Sequence, residues 1–170
     1  MRLQPIPPGS HPELAAQEAQ ILAARGRVSP LYQVLLHSSA MAQGWEAMLT
    51  AVRNRNSLDA AMREMLILRV AVLNRAVFEF DAHVPHAEKA GLSRQKIEAL
   101  REPVISAVFS DDERRLLRLC DTMTVQIDVP DALFAEVRTR FSDQQLVDLL
   151  VTIAAYNMVS RFLVAAGIAH

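Results

Sequence analysis

Residues 63–92 read REMLILRVAVLNRAVFEFDAHVPHAEKAGL, and this stretch predicts the helix pair around which the chain folds. Its first half is apolar on every side of a helix with 3.6 residues per turn, which is typical of a helix that is buried all round. Glu64 is a charged residue in that half and is therefore costly to bury. Its neighbours along the helix are Leu68 and Ala71, so we expect its carboxylate to point into packed side chains and to need a partner or a proton.

The second half of the stretch contains another polar anomaly. His83 lies within an apolar stripe that includes Phe80 and Ala87, and Glu79 stands at the margin of that stripe. Glu79 and His83 are four residues apart, a spacing that places two side chains on the same side of a helix. The pattern therefore predicts an acid/base pair set into an apolar wall.

Length and composition indicate one globular domain. The chain has 170 residues, which predicts a single domain over residues 1–170 with a proline-rich, extended lead-in at residues 1–10. Its hydrophobic content of 51% is slightly above the usual range, and we interpret the excess as a subunit interface. The net charge of -1 and the scattered arginines give no electrostatic footprint for nucleic acid or anionic lipid. We therefore expect neither partner.

The apolar segments do not indicate export or membrane insertion. Residues 1–10 lack the apolar run of a signal peptide, so a cytoplasmic location is expected. Residues 146–168 are apolar enough to suggest a membrane span, but they include Asp148, Asn157 and Arg161, each of which is costly in lipid. A buried helix is the better interpretation. The single cysteine, Cys120, is predicted to be a core residue.

Helix signals recur along the chain, and no segment alternates with period two. Gly26 and Gly91 are predicted helix stops, while Ser110 with Glu113 and Ser142 with Gln145 form predicted capping boxes. We expect Pro85 to kink or loosen its helix beside His83. The prediction is an all-α fold of eight or so helices. The nine helical stretches that the pattern offers are approximately residues 13–25, 31–37, 41–53, 58–74, 75–90, 93–100, 110–125, 130–140 and 142–167.

Several common site motifs are missing from the sequence. There is no glycine-rich phosphate loop, no His-Glu-x-x-His, no cysteine pair and no Gly-x-Ser-x-Gly. These absences argue against the commonest nucleotide, zinc and serine-hydrolase sites. His83 and His86 are spaced i to i+3 with a proline between them, which is a weak metal signal. We expect neither a cofactor nor a metal ion.

With these motifs excluded, Glu64, Glu79 and His83 remain as candidate site residues. The sequence around them resembles the carboxymuconolactone decarboxylase-like family, which includes the alkylhydroperoxidase D (AhpD) group. The resemblance covers roughly residues 31–165 and is strongest at 63–71 and 78–92, while 155–161 resembles the final helix of the family. It implies an all-α multi-helix bundle of the AhpD-like type, built around a central antiparallel helix pair. It also implies a homotrimer or homohexamer.

The family motif distinguishes two branches. The peroxidase branch has the pattern Glu-x11-Cys-x2-Cys-x3-His, and Glu64 and His83 match its glutamate and histidine. The two cysteine positions fall on Ala76 and Glu79, and Cys120 lies outside the motif. A thiol peroxidase needs both a nucleophilic and a resolving thiol. The decarboxylase branch commonly has a glutamate at the second cysteine position and resembles this chain better.

The resemblance implies a small-molecule acid/base enzyme that acts on a carboxylated lactone or a related keto or enol compound. The reaction would be a decarboxylation, or an isomerisation or cyclisation. His83 would carry the proton, Glu79 would orient the His83 side chain or serve as a second acid, and Glu64 would be the relay behind them. The resemblance also implies a set of substrate-contacting residues: Phe80, His86, Tyr156 and Asn157.

Each of these residues also has a purely structural interpretation. Glu64 is then an ion-pair partner for Arg69 or Arg161, and His83 is then a core histidine. Tyr156 and Asn157 are otherwise core or interface residues. The alternative functions are an AhpD-like oxidoreductase, disfavoured by the missing cysteine pair, and a non-catalytic binding or assembly protein on the same fold.

Overall fold

The computed structural model describes residues 1–168, and no β-strand occurs within them, which confirms the predicted all-α class. A short 3-10 turn at Pro12–Leu14 precedes the first helix, and a π-helical segment at Thr122–Gln126 follows the seventh. The α-helices in this part of the chain are α1 (Ala15–Arg25), α2 (Pro30–Leu35), α3 (Ser39–Asn54), α4 (Ala60–Leu73), α5 (Val77–Lys89), α6 (Arg94–Ala99), α7 (Asp111–Asp121), α8 (Asp131–Arg138) and α9 (Asp143–Ala166).

These helices form two compact units. The first comprises Met1–Arg55 together with residues 165–168, and the second comprises Asn56–Val164. In the first unit the proline-rich lead-in has no helix, and its Ile6 is buried and donates a backbone hydrogen bond to Gln33. The expectation of one domain over residues 1–170 stays a prediction.

The second unit is built on the predicted central pair, α4 and α5. Every residue of α4 from Glu64 to Ala71 is buried, as its all-round apolar pattern predicts. The side chain of Asp59 caps α4 by accepting hydrogen bonds from the amides of Ala61 and Met62. α5 continues through Pro85, so the proline removes one hydrogen bond in the preceding turn without ending the helix.

The predicted capping boxes are confirmed. The Ser110 hydroxyl accepts from the Glu113 amide and the Glu113 carboxylate accepts from the Ser110 amide. The side chains and amides of Ser142 and Gln145 form the same reciprocal pair. α7 ends before the predicted residue 125, because the chain widens into the π-helical segment. Ile127 follows that segment, and its φ of 70° is unusual for a β-branched residue.

α9 is the most apolar helix. By length and composition it could cross a membrane, with a mean hydropathy of 1.6 over an 18-residue window. However, 56% of that window is buried, which is the pattern of a core helix, and one such helix is weak evidence for a membrane span. Cys120 is fully buried beside the carbonyl of Leu66, as predicted for a core cysteine.

Candidate active site

Three buried ionisable side chains meet between α4 and α5. His83 Nδ1 lies 2.6 Å from Glu64 Oε2, and His83 Nε2 lies 3.1 Å from Glu79 Oε1. None of the three residues is more than 5% exposed. The imidazole of His83 is therefore held between two carboxylates, and we call Glu64, Glu79 and His83 the trio.

The arrangement of the trio differs in one respect from the sequence prediction. Glu79 and His83 contact each other along α5, as their spacing predicts. Glu64 was predicted to stand behind this pair, but it makes the shorter contact and reaches the imidazole from α4. Its hydrogen bond to Nδ1 fixes the orientation of the ring. Nε2 is left as the nitrogen that faces Glu79.

The two carboxylates change the protonation of His83. Burial lowers the pKa of His83, but its hydrogen bonds to Glu64 and Glu79 raise the pKa more, so it is above the ordinary value of 6.5. His83 therefore holds its second proton at a higher pH than an ordinary histidine does. A protonated imidazole at this position is a proton donor in an apolar environment.

Tyr156 and His86 flank the imidazole. The Tyr156 hydroxyl lies 3.4 Å from His83 Nε2, and the Tyr156 ring meets the imidazole edge to face. The ring centroid of His86 lies 5.5 Å from that of His83, and His86 is exposed whereas His83 is buried. Both predicted residues therefore lie beside the trio.

Phe80 and Asn157 have their own packing partners. The guanidinium carbon of Arg101 lies 3.8 Å from the Phe80 ring centroid, which is a cation–π contact. The Asn157 carboxamide accepts from Asn74 and donates to the Thr124 hydroxyl and the Ile153 carbonyl. These hydrogen bonds tie α9 to its neighbours, and in the described part of the chain none of them joins Asn157 to the trio.

The predicted alternative partners of Glu64 are wrong. The Arg69 guanidinium makes two hydrogen bonds to Asp121, and it also donates to the carbonyls of Leu100 and Glu102. Arg161 instead donates to the Asn74 side chain and the Thr124 carbonyl. Both arginines are thus engaged elsewhere, and neither ion pair forms.

Arg63 is the arginine beside Glu64, and sequence reasoning missed it. Its Nε lies 3.8 Å from Glu64 Oε1, and within residues 1–168 this buried Nε has no hydrogen-bond partner. Adjacent residues point about 100° apart on a helix, so periodicity argued against the contact. The long side chain folds back along the helix, and its charge lies next to the trio.

Metal ligation has no support in the described residues, where no group of three or more His, Cys, Asp or Glu side chains is placed to hold an ion. In the trio each nitrogen of His83 already faces a carboxylate oxygen. A metal ion on either nitrogen would have to displace one of these contacts.

Comparison with known sequences identifies relatives of the chain. A sequence model of the carboxymuconolactone decarboxylase family matches residues 39–121, which contain the whole trio. The uncharacterized protein YdfG of Bacillus subtilis (strain 168) is 30% identical over 115 residues, covering 66% of this chain and 78% of YdfG.

Comparison with solved structures identifies the fold. A protein of unknown function from Agrobacterium tumefaciens, provisionally described as the antioxidant defence protein AhpD, matches with a TM-score of 0.74 and 28% identity. The match covers 80% of this chain and 94% of that protein. A peroxidase-related protein from Ralstonia eutropha JMP134 with an alkylhydroperoxidase AhpD core matches with a TM-score of 0.81 over 98% of this chain and 90% of its own. Its identity is 16%, so it shows the AhpD-like fold alone.

The sequence match and the fold agree with each other and with the resemblance of residues 63–92. The matched region includes α4 and α5, the helices that carry the trio. The chain belongs to the carboxymuconolactone decarboxylase family.

Proposed function

We propose that the protein is a small-molecule acid/base enzyme that resembles carboxymuconolactone decarboxylases and acts on a carboxylated lactone or a related keto or enol compound. One observation carries the proposal: a buried histidine is held between two buried carboxylates, and its pKa is raised. Groups with shifted pKa values and specific charged partners are typical of catalytic sites.

The proposed reaction requires one proton for each carbon dioxide released. The bond between the substrate and its carboxylate breaks, carbon dioxide leaves, and the electron pair remains as an enolate. His83 then donates its proton from Nε2 to the carbanionic carbon of that enolate and regains one from water. Glu64 keeps the ring in place through Nδ1. The Tyr156 hydroxyl near Nε2 is a hydrogen-bond donor for the oxygen on which negative charge develops.

The same trio supports an isomerisation or a cyclisation, in which a proton is removed from one carbon and returned to another. In that reaction the neutral imidazole of His83 takes the proton first. Glu79 stabilises the imidazolium that forms, because its carboxylate lies next to Nε2. The proposal includes this variant, since both reactions pass through an enolate.

The AhpD names of the relatives suggest peroxide reduction as a rival function. Its chemistry needs a reactive thiolate and a second thiol. The chain has one cysteine, Cys120, and burial raises the pKa of this fully buried thiol. A thiol-dependent peroxidase is therefore disfavoured, and a non-catalytic binding or assembly protein on this fold is the remaining alternative.

The proposal extends to self-association and to location. Apolar side chains on α9 are exposed in the single chain, namely Val147, Val151 and Val164. They support a homotrimer or homohexamer, which would cover them. We propose that this assembly functions in the cytoplasm. Sedimentation at micromolar concentration should give the mass of three or six chains, and a monodisperse monomer would contradict the assembly.

The test of the function is a panel of carboxylated lactones and β-keto acids. Carbon dioxide release and product structure are followed by NMR in deuterated water, because deuterium should enter the carbon that receives the proton. His83→Gln is the matched inactive variant. Thiol-dependent turnover of organic peroxide would establish the rival instead. If no panel compound reacts but one raises the melting temperature, the non-catalytic binding protein is the correct alternative.

A further inference from the structure

A cavity lies apart from the trio in the unit formed by Asn56–Val164. Its volume is about 250 Å³, which is the volume of roughly eight water molecules in the liquid. Helix α4 contributes one residue, α7 contributes three, and α8 with the turn after it contributes the rest. The lining residues are Met62, Asp112, Arg115, Leu116, Val137, Arg140 and Phe141.

The cavity has an apolar part. Met62, Leu116, Val137 and Phe141 supply hydrocarbon and aromatic surface, and Val137 and Leu116 are buried. Small-molecule sites commonly combine such a lining with a few polar groups that fix the orientation of the ligand. The shape and chemistry of this part suit a compact ring or a short branched chain.

Two arginines line the polar part and share one carboxylate oxygen. Asp112 Oδ1 lies 2.6 Å from an Arg115 terminal nitrogen and 3.6 Å from an Arg140 terminal nitrogen. The second distance is too long for a hydrogen bond. Asp112 therefore accepts a hydrogen bond from Arg115 but not from Arg140.

Arg115 also has an unsatisfied donor. Its Nε is buried and has no hydrogen-bond partner within the described residues. The closest carboxylate oxygen, Glu136 Oε2, is 3.5 Å away and accepts a hydrogen bond from Arg118. A buried donor left without an acceptor is costly, and such groups in folded proteins call for an explanation. These ion pairs join three arginines, Arg115, Arg118 and Arg140, to two carboxylates, those of Asp112 and Glu136. One positive charge is therefore in excess.

We propose that this cavity binds a small monocarboxylate whose apolar body packs against Met62, Leu116, Val137 and Phe141. The ligand carboxylate accepts hydrogen bonds from the Arg140 guanidinium, and it balances the excess positive charge of the arginines. Arginine is suited to this role because its planar donors match a carboxylate. The site is independent of the proposed function, since it contains no member of the trio.

Titration calorimetry with benzoate tests the proposal, with benzyl alcohol as the neutral probe of the same shape. The titration is repeated with Met62→Trp, whose filled cavity leaves only the binding that occurs elsewhere in the protein, including at the trio. We expect benzoate to bind more tightly than benzyl alcohol, and Arg140→Met to weaken benzoate by about tenfold or more. Arg138→Met is the matched control, because this arginine lies two residues earlier, contacts Asp143 and does not line the cavity.

The variants are chosen so that folding cannot obscure the result. Arg115 is mostly buried, so Arg115→Met could unfold the protein, whereas Arg140 is 58% exposed and its replacement should fold. Met62→Trp should fill the cavity and reduce benzoate binding without changing the charge. Unchanged benzoate affinity in Arg140→Met, or equal affinity for benzoate and benzyl alcohol, would overturn the proposal.

Discussion

Each of the two compact units contains a hydrogen-bonded polar cluster, partly buried in the first and fully buried in the second, and the two clusters differ in the kind of positive charge they hold. In the first unit Glu46 accepts hydrogen bonds from Arg25, Tyr32 and Thr50. Burial raises the pKa of Glu46, but the hydrogen bonds from Arg25 and its other neighbours lower it more. Arg25 cannot lose its proton near neutral pH. The charge of this cluster is therefore fixed.

The trio in the second unit has two carboxylates around a histidine, whose charge depends on one proton. The raised pKa of His83 shows that the carboxylates favour that proton, yet an imidazole can still release it, unlike a guanidinium. Both clusters are hydrogen-bonded, the first partly buried and the second fully buried. The comparison teaches that, of these two clusters, only the trio holds a cation that can release its proton near neutral pH.

The largest expected effect is the loss of turnover in His83→Ala. Removing the proton donor should lower kcat by a factor of about 100 or more, whereas KM should change little because the imidazole acts mainly in the transition state. Steady-state kinetics on a substrate found in the panel would measure both. Thr50→Val is the matched control, since it removes one member of the cluster in the first unit and should leave kcat unchanged. Full activity in His83→Ala would make His83 a core histidine.

Arg25→Met should affect stability and leave turnover intact. Removing this arginine leaves the largely buried carboxylate of Glu46 without its cation, which costs about 3 kcal/mol of unfolding free energy. Urea denaturation followed by circular dichroism would measure the loss. A fall in kcat per folded molecule would contradict the assignment of this cluster to structure.

Glu79→Gln should lower kcat by about tenfold, less than His83→Ala does. The amide still forms a hydrogen bond with the imidazole, but it no longer stabilises the charged ring. In the wild type we expect a bell-shaped dependence of kcat on pH, because one group must be protonated and another ionised. The alkaline limb should shift to lower pH in the variant. An unchanged profile would show that Glu79 does not influence the protonation of His83.

The pH dependence of stability should follow His83. Since its pKa is raised above 6.5 in the folded protein, its contribution to stability is fully present below that pH and is lost as the pH rises through the folded value. The stability difference between wild type and His83→Gln should therefore fall with increasing pH. Denaturation at several pH values between about 6 and 9 would measure it. In Arg25→Met the difference from wild type should stay constant over the same range, because arginine does not titrate there.

The smallest expected effect is that of Cys120→Ser on activity. The thiol is fully buried and its sulfur lies 3.9 Å from the Leu66 carbonyl oxygen, so its contribution is to packing. Turnover per folded molecule should stay near the wild-type value. A large loss of turnover in a variant that still folds, measured by the same kinetic assay, would instead support redox chemistry at this thiol.

The sequence predicted the features that depend on local chemistry. The capping boxes at Ser110 and Ser142 mark helix starts because their hydrogen bonds form within four residues. The all-round apolar pattern of residues 65–71 predicted burial, and the spacing of Glu79 and His83 predicted their contact. The meeting of Glu64 with His83 was anticipated through the family resemblance.

Features that depend on packing between segments far apart in the chain could not be predicted from the local sequence. Arg69 was a candidate partner for Glu64, but its partners are Asp121 and two carbonyls that lie far along the chain. The π-helical segment after α7 breaks the helical period and has no simple sequence signal. The cluster around Glu46 joins three helices, so no single stretch of sequence reveals it.

The hydrogen bond between Asn74 and Asn157 has a consequence for sequence evolution. Asn157 also bonds Thr124, so one carboxamide connects the end of α4, the π-helical segment and α9. A substitution at position 157 leaves the Asn74 amide with the Val70 carbonyl but without its acceptor on α9, and the neighbouring Tyr156 loses an anchor that fixes its helix beside His83. We therefore expect positions 74 and 157 to vary together among relatives that keep a tyrosine at position 156.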